Sequence, residues 1–421
     1  MKKNKLFPRL RFPEFRTNID FFNGNLLFEQ ISNKNHNSDL PILAITQDRG
    51  AIPRNEIDYN ITATEKSIST YKVVEVGDFI ISLRSFQGGI EYSNYKGICS
   101  PAYIVLRKKN NNIYEPYYKY YFKTDRYIIN LNINLEGIRD GKMISYSQFS
   151  DIKIPCPTLE EQQKIADCLA SIDELIEAEK RKLVVLKKYK KTLTQKLFPA
   201  EDASIPELRF EEFKDSGEWE NKKLSDIGES YSGLTNKNAS HFIDDCNAKY
   251  ITYKSIYDCD RININKLKDV FIEEGEKQNL VQYGDAFFTI SSETQDEVGL
   301  SSVLLDEVSN TYLNSFCFGF RYDFNILLPE FARYYFRSNY IRKYTYILSQ
   351  GITRFNLSKN KFLEIIIKIP TIKEQKKIAD CLASIDGIID SQVKRIDNLI
   401  KHKKALMQGL FPDMESIEEY E

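Results

Sequence analysis

The chain has 421 residues, a length that suits about two or three domains. An apolar fraction of 42 % and a charged fraction of 28 % exclude a disordered chain, a collagen and a coiled-coil rod. The formal net charge of −1 removes the simplest argument for a nucleic-acid binder, an overall basic chain.

The start, Met1 to Lys5, is basic, but Pro8 and Arg9 stand where an apolar signal core would follow. No apolar run reaches the ~18 residues that a bilayer needs, so a cytoplasmic protein is expected. The seven cysteines are odd in number and never form C-x-x-C, which points to reduced thiols. The three histidines, His36, His241 and His402, are too dispersed in sequence to suggest a histidine metal site.

Residues 1–157 alternate short β-rich segments with Asn, Gly and Ser. Ile80 to Leu83 and Ile98 to Leu106 read as strands, and Tyr114 to Asn130 as a helix whose aromatics mostly form core. Residues 158–199 then form one long helix. Thr158 and Glu161 have the spacing of a capping box, and Phe198-Pro199 stops the run. Residues 200–370 return to the first texture, with strands at Ala286 to Ile290 and Phe316 to Phe320 and an aromatic helix at Pro329 to Leu348. Residues 371–412 are a second long helix, capped by Thr371 and Glu374 and stopped by Phe411-Pro412, and 413–421 form an acidic tail.

The two long helices are copies of each other. Lys164 to Asp173 and Lys377 to Asp386 share the same ten letters, and the ungapped 42-residue alignment holds 23 identities. Weaker echoes pair Pro8–Phe12 with Pro206–Phe210, Val76–Phe79 with Tyr283–Ala286, and Glu136–Arg139 with Gln350–Thr353. In each helix the apolar residues recur at steps of four and three, from Ile165 to Leu197 and from Ile378 to Leu410. The seam is interrupted at matching positions by Glu179/Gln392 and Lys190/Lys403, as register pins would be. Each rod would be about 57 Å long and must bury its stripe; two copies in one chain can bury theirs against each other, antiparallel, the alternative being that each pairs with another copy of the protein.

No catalytic signature stands out. G-x-x-x-x-G-K-[ST], G-x-G-x-x-G, H-E-x-x-H, G-x-S-x-G and Asn-Pro-Pro-(Phe/Tyr) are all missing from the sequence. Cys168 and Cys381, beside the seam, read as packing residues. Charge divides unevenly: residues 1–157 carry net +6 and residues 200–370 net −7. DNA binding therefore suits the first half by charge, and the second only if its basic side chains cluster.

Ile154-Pro155-x-Pro157-x-x-Glu160-Glu161-Gln162-x-Lys164-Ile165-Ala166 recurs as Ile369-Pro370-x-x-x-Glu374-Gln375-x-Lys377-Ile378-Ala379. The doubled pattern resembles the specificity subunit of type I restriction–modification enzymes over nearly the whole chain. The resemblance implies an α+β fold: two tandem α/β target-recognition domains joined by two long antiparallel helices forming an intramolecular coiled coil. It implies a non-catalytic subunit in which each domain reads one half of a bipartite, asymmetric DNA site while the helices set the spacing. The implied partners are double-stranded DNA, two adenine-N6 methyltransferase subunits and two restriction/translocase subunits. The chain would need no cofactor of its own; S-adenosylmethionine, ATP and Mg2+ would sit on the partners. Half-sites on one DNA face lie about 34 Å apart, a gap that a stiff rod can hold and a flexible linker cannot. The rival reading is a coiled-coil scaffold without sequence preference.

Base edges are read by Arg, Lys, Asn, Gln, Ser, Thr or Tyr on loops and helix ends. In the first half the candidates are Thr46, Gln47 and Arg49; Arg84, Ser85 and Gln87; and Arg139 with Lys142. In the second they are Tyr253 and Lys254; Ser291, Ser292 and Thr294; and Arg354 with Asn356. The run Lys187, Lys188, Lys190 and Lys191 reads as a solvated face near a helix C-terminus, where cations are favoured.

Overall fold

The computed structural model describes residues 8–37, 39–57, 68–133, 144–200 and 203–412. The basic start, the candidates Arg139 and Lys142, the Glu136–Arg139 echo and the acidic tail lie outside the described residues. The chain forms two compact units, one of residues 1–180 with 394–421, the other of residues 181–393.

The first unit is built on a four-stranded antiparallel sheet in the order Phe28–Ile31, Ile104–Lys108, Phe79–Ile81, Glu91–Tyr92. A separate ladder pairs Asp20–Asn23 with Lys153–Cys156, joining the two ends of the β-rich segment just before the long helix begins. The second unit repeats both features. Its sheet runs Gly228–Ser232, Cys317–Tyr322, Ala286–Thr289, Ser301–Val303, and Glu220–Lys223 pairs with Ile366–Ile369. Each sheet packs one face against aromatic helices. Phe28, Phe79, Tyr117, Tyr118 and Phe122 are fully buried in the first unit, as are Phe288, Phe318, Phe320, Tyr335 and Phe336 in the second. Rings meet edge-on, as in Phe79–Phe122 with centroids 5.1 Å apart. Burying such a side chain stabilises by about 1.5–3 kcal/mol.

Several expected elements are shorter or split. Ile98 to Leu106 is two strands, Gly97–Cys99 and Ile104–Lys108. Pro101 has no N–H for a ladder, and the Ser100 hydroxyl accepts from the Ala102 amide in the turn between them. Ile80 to Leu83 becomes Phe79–Ile81, because the Ser82 amide leaves the ladder and donates to the Ser85 hydroxyl. The other two strands shift by a residue or two, to Ala286–Thr289 and Cys317–Tyr322. Both aromatic helices are pairs: Glu115–Tyr121 with Asp125–Ile133, and Pro329–Tyr335 with Asn339–Leu348. The break falls at Thr124, whose hydroxyl caps the Tyr127 amide, and at Ser338. Aromatic residues continue through both breaks, which is why the sequence reads as one helix.

The two long helices are Leu159–Leu197 and Ile372–Leu410, of 39 residues each. The expected seam residues are buried or half-buried. In the first unit Ile165 and Leu169 pack with Leu406 and Leu410; in the second Leu193 and Leu197 pack with Ile378 and Leu382. In the first unit Asp173 meets Lys403 at 2.6 Å and Glu179 meets Arg395 at 2.6 Å. Numbers rise on one helix as they fall on the other, so the segments run antiparallel there. In the second unit Lys190 meets Asp386 at 2.5 Å. The polar interruptions thus act as pins: each seam lysine reaches the aspartate that ends KIADCLASID on the opposite helix. The stop residues turn back into the cores, where Phe411 packs on Tyr117 with centroids 5.1 Å apart and Phe198 on Phe331 at 5.5 Å.

Candidate nucleic-acid interface

Each unit holds its helix start with the same buried polar construction. The Arg11 guanidinium donates two bonds of 2.7 Å to Glu161, and Arg209 donates two of 2.8 Å to Glu374. Both carboxylates are shielded from solvent. The capping-box expectation is corrected here. The Thr158 and Thr371 hydroxyls do accept from the amides of Glu161 and Glu374, at 3.4 Å, but each carboxylate turns to an arginine instead of back to the cap. The arginine is the stronger partner, because a bidentate, charge-assisted pair in a dry site outweighs one bond to a neutral amide. The same P-x-L-R-F segments also reach the other long helix, since the Leu10 amide donates to the Gly409 carbonyl and that of Leu208 to Lys196.

The next residue in each motif is a buried glutamine. Gln162 accepts from the Tyr114 amide and donates to the Asn112 and Pro157 carbonyls; Gln375 accepts from Leu328 and donates to Ile326 and Pro370. The echo at Gly77-Asp78 and Gly284-Asp285 has a similar basis. Asp78 grips Arg107 and Asp285 grips Arg321, each through two bonds, while each aspartate also accepts an amide three residues before it. These pairs lock a turn to the sheet and set the angle of the loops that follow.

The described first-unit candidates converge on two adjacent loops. Thr46, Gln47 and Arg49 form the turn of the hairpin Leu43–Thr46/Gly50–Pro53, with the Thr46 hydroxyl closing it on the Gly50 carbonyl. Arg84 begins the helical turn Ser85–Gly88, and the Gln47 side chain donates to the Arg84 carbonyl at 3.4 Å. Gln47, Arg49, Arg84 and Gln87 are exposed. Arg49 pairs loosely with Glu56, whereas Ser85 is buried, its hydroxyl spent on the Ser82 amide. Lys123 ties the loops together by donating to the Gln47 and Gly88 carbonyls and to Glu91. Burial pushes the Glu91 carboxyl up to about 6 against the pull of Lys123, whose own value falls for the same reason. The Gln47–Gly50 turn borders a cleft of about 590 Å³ that Lys119, Lys123, Lys403 and Lys404 also line. Lys119 and Lys123 were not among the sequence candidates; Lys119 lies in the helix Glu115–Tyr121 and Lys123 in the turn that follows it.

In the second unit Ser291–Ser292, Phe355–Leu357 and Ser349–Gln350 form a small sheet that pairs Ser291 with Asn356. The Tyr253 hydroxyl donates to the Ser291 carbonyl, so three candidate segments meet. Lys254, Thr294, Arg354 and Asn356 are exposed. Ser292 is buried and donates to Glu297 at 2.5 Å, a bond that draws the carboxylate below its usual range. Beside them Lys254, Lys266 and Lys268 line a cavity of about 300 Å³. Some acids of this half are engaged in pairs: Asp260 with Arg333, Asp285 with Arg321 and Asp306 with Arg261. Exposed acids remain beside the basic side chains of these loops, among them Asp258, Glu293 and Asp296.

Among the described residues no helix is long and apolar enough to cross a membrane, and no cluster of three or more His, Cys, Asp or Glu could hold a metal ion. The seven cysteines are free thiols, and burial raises those of Cys156 and Cys381.

Residues 14–188 and 216–402 match the family model described as the type I restriction modification DNA specificity domain. The chain is 24 % identical to the type I restriction enzyme MjaVIII specificity subunit of Methanocaldococcus jannaschii, across 80 % of this chain and 79 % of that protein. It is 25 % identical to the putative MjaX specificity subunit of the same organism, across 82 % and 80 %. In fold it resembles a chain solved in work on complex assembly and conformational transition of the type I R-M system, with a TM-score of 0.61, 16 % identity and coverage of 94 % and 97 %. It also resembles the type I S subunit of M. genitalium, with a TM-score of 0.52, 16 % identity and coverage of 97 % and 100 %. With the model matched once in each half of a twice-built frame, the chain belongs to the specificity subunits of type I restriction–modification systems.

Proposed function

We propose that this chain is the non-catalytic, sequence-reading subunit of a cytoplasmic type I complex, each unit reading one half of a bipartite DNA site. The observation that carries the reading is the contrast inside each unit. An anchor of Arg–Glu and Gln contacts is built twice alike, while the loops it presents differ in residue and shape. Arg84, Gln87, Gln47 and Arg49 in the first unit, and Lys254, Thr294, Arg354 and Asn356 in the second, have the exposure and the donor and acceptor groups that base edges require. Tyr253, Ser291 and the buried Ser85 and Ser292 shape those loops. Thr46 holds its turn, and Arg139 and Lys142 remain candidates on sequence grounds.

The paired helices would set the gap between half-sites. They would also dock two adenine-N6 methyltransferase subunits and, for restriction, two translocase subunits. Apolar side chains on the outer helix faces support a docking role: Val184 and Val185 are 67 % and 65 % exposed, and Tyr189, Ile388 and Ile400 are exposed as well. S-adenosylmethionine, ATP and Mg2+ would belong to those partners. The test is to exchange residues 206–356 for those of another family member and sequence the adenine methylome of cells that also express the methyltransferase. One half of the methylated motif should change. Change in both halves defeats the two-reader model, and change in neither leaves the non-specific scaffold.

A further inference from the structure

A cleft of about 690 Å³ in the second unit opens where the helix Asn339–Leu348 begins. Lys187 and Lys191 line it together with Ser338, Asn339 and Lys343, the last itself engaged in an interaction. Two other cations at its wall are already committed. Arg337 donates to the carbonyls of Ser301, Ile256, Tyr257 and Cys259, and Lys190 is held by Asp386. Ser338 is the N-cap, only 4 % exposed, yet its hydroxyl makes no capping bond and has no hydrogen-bond partner. A buried hydroxyl without a partner is costly, and the amides of the first helical turn have no acceptor within their own helix. Donors, a positive helix end and lysine side chains therefore face one space.

The first unit shows what such a place accepts. An offset of 214 sets Thr124 opposite Ser338 and Asp125 opposite Asn339; an offset of 213 sets Lys404 opposite Lys191. There the Thr124 hydroxyl is satisfied, accepting from the Tyr127 amide and donating to the Tyr121 carbonyl. The Asp125 carboxylate lies in the first turn of the helix and meets Lys404 at 2.9 Å. Thr124, Asp125 and Lys404 border the cleft of about 590 Å³ described above. The first unit thus supplies its own anion at this helix start. The second replaces the aspartate by an asparagine and keeps the lysine.

We propose that the Ser338 cleft is a phosphate site, completed in the second unit by a group that the chain does not carry. Backbone amides at a helix start, a hydroxyl and ammonium groups are the donors that phosphate oxygens take. The group has two sources, a phosphodiester of duplex DNA or a free phosphate such as that of a nucleotide. Only the first depends on the DNA-reading role proposed above.

The full chain is titrated with inorganic phosphate at low ionic strength, followed by 31P line broadening and calorimetry. The variants are Asn339→Asp, which installs the first unit's carboxylate, together with Ser338→Ala and Lys191→Gln. One phosphate should bind to the parent chain, and Asn339→Asp should weaken it about tenfold or more while the thermal midpoint is unchanged. Ser338→Ala and Lys191→Gln should each weaken it several-fold. No saturable binding, or equal binding by the parent and Asn339→Asp, overturns the site. A second arm uses random-sequence duplex. If DNA is the source, Asn339→Asp lowers the slope of log affinity against log salt by about one contact and leaves the methylated motif intact. If duplex binding is unaffected while phosphate binding is lost, the site serves a free phosphate. The phosphate arm contains no DNA, so it stands or falls apart from the sequence-reading role.

Discussion

The pair Arg11–Glu161 in the first unit and Arg209–Glu374 in the second have bond lengths that agree to within 0.1 Å, and the two buried glutamines make matching sets of three bonds. The loops beyond them share little: an arginine-bearing helical turn beside a hairpin in one unit, a three-stranded ribbon beside a tyrosine in the other. The same frame carries different surfaces. Buried charge is what makes this division workable, because changing one partner of a dry ion pair strands the other charge while an exposed loop tolerates nearly any single change.

The comparison can be broken most directly at the ion pairs. Glu161→Ala and Glu374→Ala should each cost about 3–5 kcal/mol, since an arginine is left buried without its counter-ion. Urea unfolding of the full chain should show losses of similar size; a loss at one site alone would end the claim that the frames are equivalent. Gln162→Leu and Gln375→Leu come next, at about 1–3 kcal/mol each, because each strands an amide and two carbonyls, and hydrogen exchange at Tyr114 or Leu328 should quicken accordingly.

The loops should behave oppositely. Arg84→Ala or Arg354→Ala should leave the melting point in place and relax one half of the methylated motif, with about 1–3 kcal/mol lost in discrimination at a single position. Methylome sequencing decides it; relaxation in both halves would mean that the loops do not act separately.

The buried Glu91 sharpens the contrast through pH. Its folded value of about 6 lies above the ordinary 4.5, so the folded state holds this proton more tightly than the unfolded chain. Its contribution is therefore present below pH 4.5 and fades as pH rises towards 6. Glu91→Gln should make the difference in unfolding free energy, parent minus variant, lose that slope. An unchanged slope would show that Lys123 fully offsets the burial. The smallest effect is expected at the helix pins. Lys403→Met should change stability by about 1 kcal/mol or less, because a half-buried pair contributes little net energy, while removing a constraint on helix register that cross-linking across the seam would detect.

The repeat, the heptad seam, its polar pins and the helix stops were all legible in the sequence. They depend on periodicity and on residues that act within a turn or two of themselves. The P-x-L-R-F and Gly-Asp echoes were visible as letters only. That Arg11 belongs to Glu161, and Arg107 to Asp78, required residues 150 and 29 positions apart to meet. The sequence also misled where two local signals competed. An unbroken aromatic run hid the breaks at Thr124 and Ser338, and an apolar run concealed the turn at Pro101. Ser85 and Ser292 looked like exposed readers because a hydroxyl in a loop carries no mark of its burial.

What this sequence determined alone is a chain written twice, with two helices that must cover their apolar stripes. Tertiary structure decided which acids and bases meet, such as Asp285 with Arg321 and Asp260 with Arg333, and that Lys254 and Arg354 are left exposed. The reason is physical: hydrophobic period is a property of neighbouring residues, whereas the effective charge of a surface depends on which distant partners folding brings within hydrogen-bond reach.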